Sequence, residues 1–340
     1  MPQRLRVATY NLESLDDRPD LDPPLAARIE ALRPRLLRLS ADVLCLQEVN
    51  GQHPPGGGPR RLLALDRLLA GTPYEGFHRA ASSRVSGPVV PGPEDGAARG
   101  ADAVHNLVIL SRAPILASKE LRHHLVDPPN YRPATAVPPL TAPQAVEWDR
   151  PILGAAIELA GGLAGGRRLH VVDLHLRAPL AAPVPGQKQN SQTWNSVAGW
   201  AEGFFLATMK RAGQALETRL FIERIFDDEP DALIAVCGDF NAEERQNPLR
   251  TIRGEVGDTG NPALAPRALV PIERTLPESQ RFSVVHGGRK QMLDHLLVSQ
   301  ALLAAYRHVE VHNEGLADEL TDAGPDSHHA PLVAEFELPD

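Results

Sequence analysis

The 340-residue sequence predicts a mixed α/β fold on three observations. Short runs rich in Val, Leu and Ile recur with turn residues around them. Longer stretches with apolar residues at helical spacing lie between those runs. The hydrophobic fraction of 42% supplies a substantial core, which aliphatic side chains fill because aromatic residues make up only 4%.

In chain order, Leu5 to Tyr10 reads as a strand that ends at Asn11. Leu25 to Ser40 reads as a helix with Ile29, Leu32, Leu36 and Leu39 on one face, and Pro34 inside it predicts a kink or a break. Asp42 to Gln47 is a strand ending at Glu48, His53 to Pro59 a turn region, and Arg61 to Ala70 a short helix. Ser82 to Ala103, full of Gly and Pro, reads as a mobile loop. Asn106 precedes the apolar run Leu107 to Leu110, and Val126 to Glu147 is a Pro-rich surface excursion. Arg150 begins a strand over Pro151 to Ile157, and Leu169 to Leu174 is another that ends at His175. The loop Ala178 to Gln192 leads into the longest helix, Trp194 to Phe226. Its stripe Ala198, Phe205, Met209, Leu216, Leu220 and Ile225 is suited to cover a sheet, while its approach, Gln187 to Trp200, is placed to shape a cleft. Leu233 to Cys237 stops at Gly238, Asp239, Phe240 and Asn241. Gln291 to Leu293 leads to Asp294, and Asp326, Ser327, His328 and His329 come just before a last strand, Pro331 to Leu338.

The repeated feature is an apolar strand delivering a polar side chain to its end. An unpaired buried carboxylate is costly, so these groups need a partner such as a metal ion, a phosphate or a water. Asn11, Glu48, Asp239 and Asn241 offer hard oxygens, which suit Mg²⁺ or Mn²⁺ better than Zn²⁺. The histidines and Asp294 add proton transfer and charge stabilisation, and the set reads as a phosphoryl-transfer site.

The segments Ala8–Leu12, Leu46–Val49, Asn106–Arg112, Asp173–Leu176, Gly238–Ala242, Leu293–Ser299 and Ser327–Pro331, in that order, resemble the endonuclease/exonuclease/phosphatase superfamily, the DNase-I-like fold. The resemblance covers nearly the whole chain. It implies a four-layer α/β/β/α sandwich, two sheets face to face with helices outside, spanning residues 1–340 as one domain with insertions near 82–103, 126–149 and 178–200. It implies that Glu48 and Asn11 reach a divalent metal, Mg²⁺ or Mn²⁺. Asp239 orients or deprotonates the attacking water, and Asn241 donates to a phosphoryl oxygen. Asp294 fixes the tautomer of His329, whose imidazolium stabilises the transition state, while His175 contacts the scissile phosphate or the leaving oxygen. Asn106 is a candidate phosphate contact or equally an edge-of-strand amide, Arg150 is a candidate phosphate contact, and His295 supports the fold or the residues behind the site. One departure stands out: relatives carry Ser-Asp-His where this chain has Ser327-His328-His329. His328 therefore either leaves the metal or adds a nitrogen ligand that favours Mn²⁺.

The function implied is metal-dependent hydrolysis of a phosphodiester, with nucleic acid the leading substrate. A phosphatase or phosphodiesterase for a small molecule, nucleotide or lipid headgroup is the first alternative, and a non-catalytic module keeping the fold the second. The net charge of −8 argues against broad binding to a phosphate backbone, though not against a metal and a local Arg patch gripping one phosphate. Cys45 and Cys237, the two cysteines, lie in apolar strands and read as buried free thiols. No signal peptide, membrane span or protein partner is evident, which makes a cytoplasmic protein the expectation.

Overall fold

Alternation along the strands sorts the side chains into layers. In the computed structural model, which describes residues 3–85, 99–148, 150–159 and 167–339, the strands form two sheets of six. We number them in chain order: β1 (Gln3–Leu15), β2 (Val43–Val49), β3 (His78–Ala81), β4 (Asn106–Ser111), β5 (Ile115–Leu121), β6 (Ile152–Glu158), β7 (Arg168–His175), β8 (Leu233–Asp239), β9 (Val270–Pro271), β10 (Asp294–Val298), β11 (Tyr306–Val311) and β12 (Leu332–Leu338). The first sheet runs β11-β12-β1-β2-β4-β3 and the second β9-β10-β8-β7-β6-β5. In each sheet one parallel pair, β1 with β2 and β7 with β8, sits among antiparallel neighbours.

Successive residues of a strand face opposite ways. Val7, Val43, Cys45, Val171, Ala235, Cys237 and Leu296 pack between the sheets, whereas Ala8, Tyr10, Leu44 and Leu46 point out to α1 (Leu25–Leu39) and α2 (Leu63–Leu69). Val172, Leu174, Ile234 and Val236 point out to α3 (Val197–Asp228). The result is the four-layer α/β/β/α sandwich. Both cysteines are buried and free, as expected.

Two local expectations change. The first helix continues through Pro34, because Leu32, Leu36 and Leu39, each fully buried, hold it against β1 and β2. Such a side chain contributes roughly 1.5–3 kcal/mol, which offsets the roughly 3 kcal/mol cost of an interior proline. The predicted stripe of α3 is largely the exposed face: Phe205, Leu216 and Leu220 face solvent, while Glu202, Gln214, Glu217 and Thr218 are buried. Glu202, Gln214 and Glu217 hold loops outside the helix, and Thr218 the Gln214 carbonyl within it, a task that periodicity of apolar residues does not reveal. Most of the loop read at 82–103 lies outside the described residues; its two ends pair as Arg84–Val85 with Arg99–Gly100.

Candidate active site

In four strands the inward-facing row ends in a polar residue. Thr9 and Asn11 continue the inner row of β1, Asp173 and His175 that of β7, Asp239 that of β8 and Asp294 that of β10. Beneath the rim, the amide of Gln47 donates to Asp173 Oδ1 at 2.6 Å and to Thr9 Oγ1 at 3.0 Å, joining the two sheets. Burial pushes the Asp173 carboxyl well above the usual range.

Glu48 follows Gln47 and by alternation would turn outward. Instead its φ is +57° and the β2–β4 register shifts there, so its carboxylate turns back over the rim. Glu13, Ser14, His105 and Asn241 share this left-handed backbone, and all border the same cleft. Non-glycine residues in this region cost on the order of 1–3 kcal/mol and cluster where surrounding structure enforces them. Gly238 has φ +136°, and a Cβ there would meet the Leu174 carbonyl oxygen at 1.9 Å, so only glycine lets β8 lie against β7 beside Asp239.

Asn11 Nδ2 bridges the two carboxylates, 3.1 Å from Asp239 Oδ2 and 3.3 Å from Glu48 Oε1. Its Oδ1 accepts from Glu13 N, so the oxygen it offers a metal is already engaged by the backbone. Ser14 Oγ donates to the other oxygen of Glu48. His175 Nε2 lies 3.3 Å from Asp239 and 3.6 Å from Glu48, with the Arg150 guanidinium against the same nitrogen. That nitrogen faces a donor on one side and acceptors on the other, and either tautomer leaves one contact unmet. Asn241 binds Asp239 twice, through its backbone N at 2.8 Å and its Nδ2 at 3.1 Å, and Nδ2 also reaches the Leu176 carbonyl. The amide that sequence reasoning aimed at a phosphoryl oxygen therefore holds Asp239 in place. His329 Nδ1 sits 2.7 Å from Asp294 Oδ2, and Ser327 links His329 N to the Asn11 carbonyl.

The charges follow from this packing. Burial works to raise the Glu48 carboxyl, but His175, His105, Arg150 and His329 outweigh it and hold it at about 2. Burial likewise opposes ionisation of Asp239, and His175 and His329 outweigh it, so Asp239 lies below the usual carboxylate range. Burial also disfavours the His329 imidazolium, yet Asp294, with Asp239 and Glu48 behind it, raises it to about 10.

Two candidate site residues, Asn106 and His328, stand outside the cluster, and Asp326 does not take the place of the missing acid. Asn106 is fully buried and spends both amide hydrogens on the carbonyls of Val49 and Asp102, each at 2.8 Å, so it pins the end of β2 and offers no donor to a phosphate. His328 turns its Nδ1 to the Glu13 carboxylate at 2.8 Å, which also accepts its backbone N–H, and so belongs to that pair and not to the cluster. Asp326 faces Arg35 and Tyr10 instead of the cleft. Arg150, by contrast, is in the cluster. His295 is buried between Glu273 and the Ala242 carbonyl and braces the turn after Asp239, as expected. Sequence reasoning missed His105, whose ring packs edge-on against His175 with centroids 5.7 Å apart, and Glu13. The signal for His105 was its place directly before a strand.

Among the described residues, two groups have donor atoms mutually within 4.8 Å: Glu48, His105 and His175, and Asp239, Asp294 and His329. Oδ1 of Asp294 and Nδ1 of His175 are buried without a hydrogen-bond partner among the described residues. Converging carboxylates with an unmet buried oxygen fit a divalent cation.

The Endonuclease/Exonuclease/phosphatase family matches residues 8–318, and the chain belongs to that family. Its members are phosphoesterases that use divalent metals. No curated protein sequence matches the chain. Among solved structures, it is similar to the endonuclease/exonuclease/phosphatase from Bacteroides vulgatus at 16% identity and a TM-score of 0.55, covering 99% of this chain and 100% of that one. It is also similar to truncated TDP2 from Caenorhabditis elegans, at 14% identity, a TM-score of 0.54 and coverage of 98% and 97%. The 3′-5′ exonuclease NExo from Neisseria meningitidis gives 17%, 0.53, and coverage of 98% and 100%. At these identities the likeness shows the fold.

Proposed function

We propose that this member of the endonuclease/exonuclease/phosphatase family hydrolyses a phosphodiester by in-line attack of water. The observation that carries the reading is the convergence of Glu48, Asp239, His175, Arg150 and the Asp294–His329 pair on one rim between the sheets. Glu48 would hold the divalent cation, Mg²⁺ or Mn²⁺, which when bound neutralises charge on the phosphoryl group and favours the leaving oxygen. Asp239, ionised and fixed by Asn11 and Asn241, orients the attacking water; as a weak base it contributes more by orientation than by proton removal. Arg150 and His175 donate to the phosphoryl oxygens. His329, kept protonated by Asp294, stabilises the charge that grows in the transition state.

Nucleic acid is the leading substrate. A small-molecule diester is the second reading, favoured by the net charge of −8. The test is a panel of single-stranded and duplex DNA, RNA and bis(4-nitrophenyl) phosphate with native protein and Asp239→Asn. The expected result is turnover that chelator abolishes, that Mg²⁺ or Mn²⁺ restores, and that the variant lowers by on the order of 10³-fold. Undiminished turnover in Asp239→Asn would refute the assignment.

A further inference from the structure

The two described insertions that follow β5 and β7 do more than decorate the rim. With α3 they form a half-open cavity of about 500 Å³, bordered among others by Arg122, Tyr131, Val146, Trp148, Leu206 and Lys210. That volume lies in the range of small-molecule sites, and the wall mixes polar and apolar groups, Arg122, Tyr131, Gln144, Glu147 and Lys210 among them.

The walls are built to hold their shape. Glu217 of α3, fully buried, accepts the backbone N–H groups of His123, His124 and Leu125 and the indole N–H of Trp148. One helical stretch earlier, Glu202 accepts from Ala134 N, Thr135 N, Thr135 Oγ1 and Tyr131 Oη. A buried carboxylate is tolerated only when so completely bonded, and each then fixes several loop residues at once. Two glycines bring the loops close: a Cβ on Gly203 would meet the Ala182 carbonyl oxygen at 2.3 Å, and one on Gly213 the Trp148 ring at 2.4 Å. Mid-helix glycine costs about 1 kcal/mol relative to alanine.

Its position follows from strand register. Leu121, Ile152 and Leu174 are cross-strand partners, and His175, Asp239 and Asp294 form the next row. Arg122, one residue past Leu121, stands at the level of His175 two strand spacings away, roughly 10 Å. Trp148 lies two residues before Arg150, and Lys210 adjoins Arg211, which donates to the Asn241 carbonyl. The Arg122 side of the cavity thus stands roughly 10 Å along the sheet from His175.

We propose that this cavity is the subsite for the organic body of the substrate. It takes a compact body with both polar and apolar groups, of about one nucleoside's size, esterified to the phosphate held at the cluster. The proposal rests on the phosphoesterase reading and deepens it: the protein reads one unit beside the phosphate and not a long duplex tract.

Isothermal titration of the Mn²⁺-loaded protein with thymidine 5′-monophosphate and with methyl phosphate tests it, because the two differ only in the body. Native protein is expected to bind the nucleotide at least about tenfold more tightly. Leu206→Trp and Val146→Trp, which each add bulk to the cavity lining, are each expected to erase that preference while leaving methyl phosphate affinity within about twofold. Equal affinities in the native protein, or an undiminished preference in whichever filled variants retain the native thermal transition, would overturn the subsite. Turnover of bis(4-nitrophenyl) phosphate is measured alongside. Its absence counts against the phosphoesterase reading, whereas the nucleotide preference and its loss on filling judge the cavity independently.

Discussion

Asp294→Asn removes one charge and almost no volume from the His329 pair. The two side chains are 2.7 Å apart and both are largely buried. At an effective dielectric near ~20, unit charges about 3 Å apart attract by roughly 6 kcal/mol, or about 4 pKa units. Burial of the imidazolium takes part of that back, and the net leaves His329 at about 10. Asp239 and Glu48 remain after the substitution, so a fall of about 2–3 units is expected. The assay is an NMR titration of the His329 ring in chelator-treated protein, native against variant. The direction of stability follows as well. A histidine raised in the folded state contributes stability that is fully present below about 6.5, its ordinary value, and is lost as pH rises toward about 10. Native protein is therefore expected to exceed the variant most at pH 6 and to converge with it near pH 10. A His329 titration unchanged within half a unit of native would refute the pairing as the source of the raised value.

Further outcomes follow from the same packing. Glu217→Ala leaves four N–H donors without their acceptor and is expected to cost at least about 3 kcal/mol in urea unfolding; a loss under 1 kcal/mol would contradict the pinning role. Gly238→Ala forces a Cβ onto the Leu174 carbonyl, and a loss of about 3 kcal/mol or more, or failure to fold, is expected in thermal melts. His328→Gln breaks the pair with Glu13 and should leave the ratio of Mg²⁺ to Mn²⁺ activation unchanged; a shifted ratio would return His328 to the metal site.

The strand ends were legible in the order of residues alone. Apolar runs that stop at Asn11, Glu48, His175, Asp239 and Asp294 are visible in one dimension, because burial of a strand needs apolar residues and the rim of a sheet admits polar ones. Residue order then carried the family likeness, and with it the layers. Tertiary structure alone decided which neighbour each polar group met. His328 and His329 are adjacent in the chain, yet opposite facing sends one to Glu13 and the other to Asp294. Asn106 reads like Asn11 in sequence, but the carbonyls of Val49 and Asp102 claim its amide. His105 joins His175 through a left-handed turn that no periodicity announces. The face of α3 inverted for the same reason: hydrogen bonds to loops far along the chain stabilise buried Glu202 and Glu217, and those partners exist only once the chain has folded.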